Sequence, residues 1–228
     1  INLQSVEIYF ALGYITDPLS IYKSIQKLPA GHTLTINNKI MGEPKQYWDL
    51  PFRPIVLSPE QAEESLIEHF KEAVRIRMLA EVPLGAFLSG GVDSSAVVAM
   101  MAELQSDPVK TCSIGFNDPK YNESEFSRLV AKKFHTDHFE QIVDSDDYGL
   151  IDTLVDIYDE PYADSSALPT YRVCELARTQ VTVAISGDGA DELMSGYRHH
   201  AMHLREEKIR ALLPNSIRKW VFGTLAKI

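Results

Sequence analysis

The sequence predicts an α/β domain built on a parallel sheet with helices on both faces. Three observations carry that prediction. Short apolar runs of strand type alternate with longer helix-like segments between about residues 58 and 185. The runs are apolar enough for strands buried on both faces, as crossover helices require. Two of them, at 84–88 and 181–185, break through glycines into polar helix starts.

Residues 1–52 read differently. A short amphipathic helix over about 6–12 precedes a Gly-Tyr-Ile-Thr-Asp-Pro turn. Residues 31–36, Asn37-Asn38 and 39–41 then read as a hairpin whose Asn-Asn turn tolerates positive φ. Residues 49–54, Asp-Leu-Pro-Phe-Arg-Pro, form a Pro-rich extended linker. It divides the chain into 1–52 and 53–228. Ser58-Pro59-Glu60-Gln61 is a helix start with an N-cap Ser, Pro in the first turn and Gln three residues on. Leu66, Phe70, Ala73 and Val74 continue it as an apolar stripe to about Ala80, with Lys71, Arg75 and Arg77 on its solvated face. Alternation follows: strand 84–88, helix 94–104, strand 109–116, helix 123–134, strand 137–143, helices of about 146–158 and 168–179, strand 181–185. No internal repeat or low-complexity segment interrupts it.

The 228 residues are 45% hydrophobic and 24% charged, a globular composition able to bury a sizeable core. A net charge of −10 argues against a nucleic-acid partner, which needs clustered Lys and Arg. No apolar run reaches the length of a membrane span, and no signal peptide opens the chain. Cys112 and Cys174 stand far apart without a Cys-x-x-Cys pair, as expected of two reduced, buried thiols in a cytoplasmic protein. The first residue is Ile1, which points to a piece of a longer protein or a processed one.

The chemistry is concentrated in the two glycine-broken junctions. After the run 84–88, Ser89-Gly90-Gly91 leads into Asp93-Ser94-Ser95. A helix opening there offers free N–H groups at the positive end of its dipole, an anion site of the phosphate-cradling kind. Gly90 and Gly91 permit close backbone approach, the serines add hydroxyls, and Asp93 is placed to hold Mg²⁺ beside the phosphates. No Gly-x-x-x-x-Gly-Lys-Ser/Thr is present, so the kinase and GTPase loop is excluded. The second junction, Ser186-Gly187-Asp188-Gly189-Ala190-Asp191-Glu192, carries carboxylates that repel one another unless a cation neutralises them. In an open parallel sheet both loops converge outside the carboxyl ends of the strands. The plain alternatives are a Gly-Gly turn for the first and a solvated acidic helix start for the second.

Together, Ser89-Gly-Gly-Val-Asp-Ser-Ser95 and Ser186-Gly-Asp-Gly-Ala-Asp-Glu192 resemble the synthetase domain of glutamine-dependent asparagine synthetases. Residues 75–88, 111–116 and 122–125 are similar to the family's neighbouring helix and strands. Residues 158–171 and 171–177 resemble an amidotransferase subgroup of exopolysaccharide, exosortase-associated gene clusters. The resemblance implies a pyrophosphate-loop ATPase, adenine nucleotide α-hydrolase-like fold, preceded by the tail of a β-rich glutaminase domain. It implies ATP and Mg²⁺ as cofactors, an acyl-adenylate intermediate, and AMP and pyrophosphate as products. The pyrophosphate would lie on Ser89, Gly90, Gly91, Asp93, Ser94 and Ser95, with Ser186, Gly187 and Gly189 opposite. Leu88 and Ile114 would flank the adenine, Asp93 and Asp191 would hold Mg²⁺, and Asp188 and Asp191 would be catalytic. Partners would be aspartate or a related carboxylate, ammonia from glutamine, the glutaminase domain of the same protein, and a second copy in a homodimer.

Asp188 stands where members often carry Glu, which leaves two expectations open: an acceptor other than aspartate, such as a sugar acid, or aspartate with the backbone compensating. The family's glutaminase cysteine and catalytic lysine are not among these residues, so the piece alone is expected to make no amide. The rival readings are another ammonia-using synthetase, such as NAD or GMP synthetase, and a nucleotide-binding module without turnover. Of the lesser candidates, His199 and His203 have the spacing of a zinc pair but read as exposed helix residues. Asp159-Glu160 and Asp164-Ser165-Ser166 read equally as an acceptor pocket or as a turn with an N-cap.

Overall fold

The computed structural model of the chain describes residues 1–51, 53–120, 122–144 and 148–212, together with Pro214, Ile217 and Arg218. Asn2 opens the first helix, α1 (Leu3–Leu12), by accepting the Gln4 N–H at 3.2 Å, and Gly13 closes it at φ +83. The helix begins earlier than the hydrophobic pattern indicated because the cap, not the periodicity, sets its first turn. Four two-residue strands follow: β1 (His32–Thr33), β2 (Ile36–Asn37), β3 (Ile40–Met41) and β4 (Lys45–Gln46). β1 pairs antiparallel with β4 and β2 with β3. The tight turn falls on Asn38 and Lys39, at φ +49 and +66, one residue beyond the expected Asn37-Asn38. Two successive positive φ values are what a two-residue hairpin loop needs to match strand twist, and Asn is the residue that tolerates the first. Residues 47–51 and 53–57 have no regular structure, as the Pro-rich composition suggested.

Ser58 makes the full capping box. It accepts the Gln61 N–H at 3.3 Å and donates its own N–H to Gln61 Oε1 at 3.0 Å, with Pro59 leading α2 (Pro59–Arg77). The remaining elements are β5 (Leu84–Phe87), α3 (Val92–Leu104), β6 (Lys110–Phe116), α4 (Ser124–Phe134), β7 (Asp137–Val143), a 3-10 turn (Tyr148–Leu150), α5 (Ile151–Ile157), α6 (Ala167–Arg178), β8 (Val183–Ile185), α7 (Ala190–Met194) and α8 (Arg198–Ala211). The helix expected over 146–158 begins on residues outside those described and runs on as the 3-10 turn and α5.

β5 to β8 form one four-stranded parallel sheet in the order β7-β6-β5-β8. Side chains of each strand alternate between two cores. Ala86 and Leu88 join Val74, Val97, Val98 and Met101 beneath α2 and α3. Phe87 and Cys112 join Ala177 and Val181 beneath α6. Burying each such Val, Leu or Met contributes about 1.5–3 kcal/mol. Cys112 is buried as expected, but Cys174 is exposed. On α6 the inward stripe is Val173, Leu176 and Ala177, and Cys174 falls beside it. β5 is laid down first, β6 and β7 extend the sheet to one side, and the chain then crosses back to place β8 on the other. The β5–β8 boundary is therefore the topological switch point, where open α/β sheets leave a crevice.

Candidate functional site

The two junctions singled out in the sequence follow β5 and β8, one on each side of the switch point. They are in contact. A Cβ built on Gly187 would stand 2.8 Å from the Ser94 backbone nitrogen and 3.1 Å from Asp93 Cβ, so the second loop lies on the first turn of α3. Only a glycine allows that approach. Gly90 has a different reason to be glycine from the one the sequence suggested. Its φ is +89, and a Cβ there would meet Ser127 N and Phe126 Cβ at 2.6 Å, so it admits α4 to the back of the loop.

Hydroxyls organise the first loop. Ser89 Oγ accepts the Gly91 N–H at 3.2 Å and lies 3.0 Å from Ser94 Oγ, which donates to the Gly91 carbonyl at 3.3 Å. α3 has no side-chain cap at its N-terminus, so its first-turn N–H groups are left for a ligand or water. Ser95 Oγ is buried without a hydrogen-bond partner. An orphaned buried hydroxyl costs about 1–3 kcal/mol, and this one lies beside an uncapped helix end suited to an anion.

In the second loop Gly189 takes φ +92 to start α7. Ser186 Oγ donates to Asp188 Oδ2 at 3.0 Å, and Asp188 is exposed while Asp93 and Asp191 are half-buried. Tyr197 donates its hydroxyl to Glu192 Oε1 at 2.7 Å. That bond, some burial and the charges of Glu192, Asp191 and Asp188 push the phenol up to about 12, and the same bond holds Glu192 below the usual carboxylate range. Among the described residues no three His, Cys, Asp or Glu gather as a metal cage. Asp93 and Asp191 are hard oxygen donors of the kind that Mg²⁺ takes in ones and twos. His199 stacks on Tyr197 and His203 lies 3.4 Å from Glu206, so the spaced histidines have ordinary helix-surface partners.

The structure does not bring the side chains of Leu88 and Ile114 together. Leu88 is 1% exposed in the core beneath α3, and alternation from Cys112 puts Ile114 on the opposite face. Any contact with a nucleotide from Leu88 is through its backbone. Within 159–166, Asp164 makes a local turn contact, while Glu160 makes long-range contacts that neither sequence reading anticipated. Glu160 pairs with Lys27 and accepts the Ile21 N–H at 3.3 Å, while Asp164 accepts the Ser166 N–H at 2.8 Å. Ala163 also donates its N–H to Gly13 O at 3.2 Å, so the N-terminal segment is fastened to this loop. α6 runs antiparallel to the strands, which puts the loop before it at the carboxyl end of the sheet. Pairing between residues this distant in sequence leaves no local signal, and sequence reasoning missed it.

A cavity of about 610 Å³ lies elsewhere, lined by Arg128, Ala131, Lys132, His135, Thr136 and His138 at the amino end of β7. Beside it His138 has Thr111 Oγ1 at 2.9 Å and Ser113 Oγ at 3.2 Å, and Arg128 donates to both oxygens of Glu140. Burial holds the His138 imidazole below its ordinary value, against the pull of Glu140.

The sequence profile of the asparagine synthase family matches residues 65–227. A Methanocaldococcus jannaschii protein provisionally named asparagine synthetase (glutamine-hydrolyzing) 2 is 44% identical over 216 residues, 93% of this chain and 42% of that one. Asparagine synthetase (glutamine-hydrolyzing) 1 of Bacillus subtilis is 27% identical over 227 residues, 99% of this chain and 36% of that one. The chain thus spans about two fifths of the length of these curated relatives. Among solved structures, an NH3-dependent NAD synthetase from Campylobacter jejuni, in complex with the nitrate ion, overlays at a TM-score of 0.39 and 14% identity, over 62% of this chain and 61% of that one.

Proposed function

The chain belongs to the asparagine synthase family, and from that membership we propose that it is the ATP-binding part of a glutamine-dependent amide-forming ligase. The observation that carries the reading is the contact of Gly187 with the first turn of α3, which makes one site of two loops. Family membership displaces the NAD and GMP synthetase rivals.

A carboxylate of aspartate or a related acid attacks the α phosphorus of ATP and displaces pyrophosphate, giving an acyl-adenylate. Ammonia from glutamine then attacks the acyl carbon, loses a proton and displaces AMP. The N–H groups of the first turn of α3 and the hydroxyls of Ser89, Ser94 and Ser95 hold the pyrophosphate portion. Ser186, Gly187 and Gly189 set the second loop against it, and the backbone at Leu88 and Ile114 borders the nucleotide. Asp93 and Asp191 would hold Mg²⁺, which when bound would supply positive charge beside the departing pyrophosphate. Asp188, exposed and oriented by Ser186, faces the acyl end. Residues 1–52 are the end of a glutamine-hydrolysing domain and 53–228 the synthetase domain. Support for the first comes from the exposed apolar side chains of Phe10, Ile36, Ile40 and Met41, which a folded neighbour would cover. The unpaired thiols of Cys112 and Cys174 suit a reducing, cytoplasmic setting.

Calorimetry with Asp93→Asn tests the site. ATP affinity in the presence of Mg²⁺ should fall about tenfold or more, with the melting temperature unchanged. Equal affinity for wild type and variant removes Asp93 from the assignment.

A further inference from the structure

We infer that Gly196 is a positioning residue for Asp191: the missing side chain at 196 is what gives the Asp191 carboxylate its place. The inference rests on the assignment of Asp191 to Mg·ATP above. A Cβ built on Gly196 would fall 1.9 Å from Asp191 Oδ1 and 3.1 Å from Asp191 Cγ, so the carboxylate oxygen occupies the space of that methyl group.

The backbone does not require glycine at this position. Among the described residues the glycines with positive φ are Gly13, Gly31, Gly90 and Gly189, and the left-handed residue that ends α7 is Ser195, at φ +58. Gly189, at the other end of the same helix, shows the opposite case. Its φ is +92, yet a Cβ there would meet nothing within 4 Å. One glycine is needed for its torsion and the other for its emptiness.

The turn is held over the helix by the Gly196 N–H, which donates to Asp191 O at 3.0 Å. The next residue, Tyr197, pins the neighbouring acid Glu192 at 2.7 Å and so keeps Glu192 from replacing Asp191. Residues 195–197 thereby fix both carboxylates of α7. With alanine at 196 the backbone can stay as it is. What gives way is the end of a short, rotatable side chain, so the fold survives and the carboxylate moves. Displacing a group that positions a metal ligand typically costs 10–100-fold in metal affinity.

The test compares Gly196→Ala, Asp191→Asn and the double variant in the protein at full length, by thermal melting, by calorimetry of ATP with and without Mg²⁺, and by Mn²⁺ binding in electron paramagnetic resonance. Gly196→Ala should melt with the wild type and bind metal-free ATP equally. It should lose about 10–100-fold in metal-dependent affinity, with no further loss in the double variant. Unchanged metal affinity in Gly196→Ala beside a weakened Asp191→Asn overturns the positioning role and leaves the site intact. Unchanged affinity in Asp191→Asn overturns the assignment of Asp191 and the inference with it. A sharp fall in melting temperature for Gly196→Ala overturns the inference by making the glycine a packing requirement.

Discussion

His138 is the residue whose surroundings most clearly set a pH dependence. Both ring nitrogens lie near hydroxyls, on Thr111 and Ser113, and burial favours the neutral ring although Glu140 draws toward the charged one. The folded value therefore lies below 6.5, and the unfolded chain takes up a proton first as pH falls. This group's contribution to stability is whole above about pH 6.5 and is lost as pH drops from there through the folded value. Glu140 acts in a separate, more acidic window. Burial alone would raise its carboxyl, but the Arg128 guanidinium holds it below the ordinary value. Melting temperature should rise as pH climbs toward about 6.5 and then level, and His138→Gln should flatten that slope. An identical slope in the variant would show that the histidine is not its source.

Among the elements, the loop before α6 carries the least expected contact. Lys27 and Glu160 keep 32% and 23% of their side-chain surface exposed, between a surface pair and a buried one. A double-mutant cycle with Lys27→Met and Glu160→Gln should give a coupling energy of about 1 kcal/mol in denaturant unfolding. Faster hydrogen exchange at Ala163, whose N–H bonds to Gly13 O, should accompany it. Additive losses would show that the pair does not fasten the segments. Features of this kind mark the limit of what the residue order discloses. The strands of the parallel sheet, the Ser58 capping box and both glycine-broken loops are local patterns, and each appears close to where its residues predict, whereas β4 was not anticipated. The hairpin turn lies one residue late because Lys39, a poor candidate for positive φ, shares it with Asn38. Leu88 turns inward because strand alternation decides its face, not its nearness to the loop. The tether at Glu160, the exposure of Cys174 and the room left by Gly196 depend on contacts that a linear pattern does not hold.

At the scale of the whole molecule, the sheet order explains why two loops nearly a hundred residues apart make one site. Strands added first to one side of β5 and then to the other open a crevice at the β5–β8 boundary, and both loops leave from it. The N-terminal segment is fastened at the same end through residues 160–163, so under the proposed function the glutamine-hydrolysing part and the ATP site would share one end of the sheet. The proposed reaction of this site is adenylation of a carboxylate. Exchange of labelled pyrophosphate into ATP by the full-length protein, across a panel of acids that includes aspartate, measures that step directly. Exchange should require Mg²⁺ and one particular carboxylic acid, and Asp93→Asn should abolish it. Acid-dependent turnover that releases ADP and phosphate, with no exchange of pyrophosphate for any acid, would contradict adenylation.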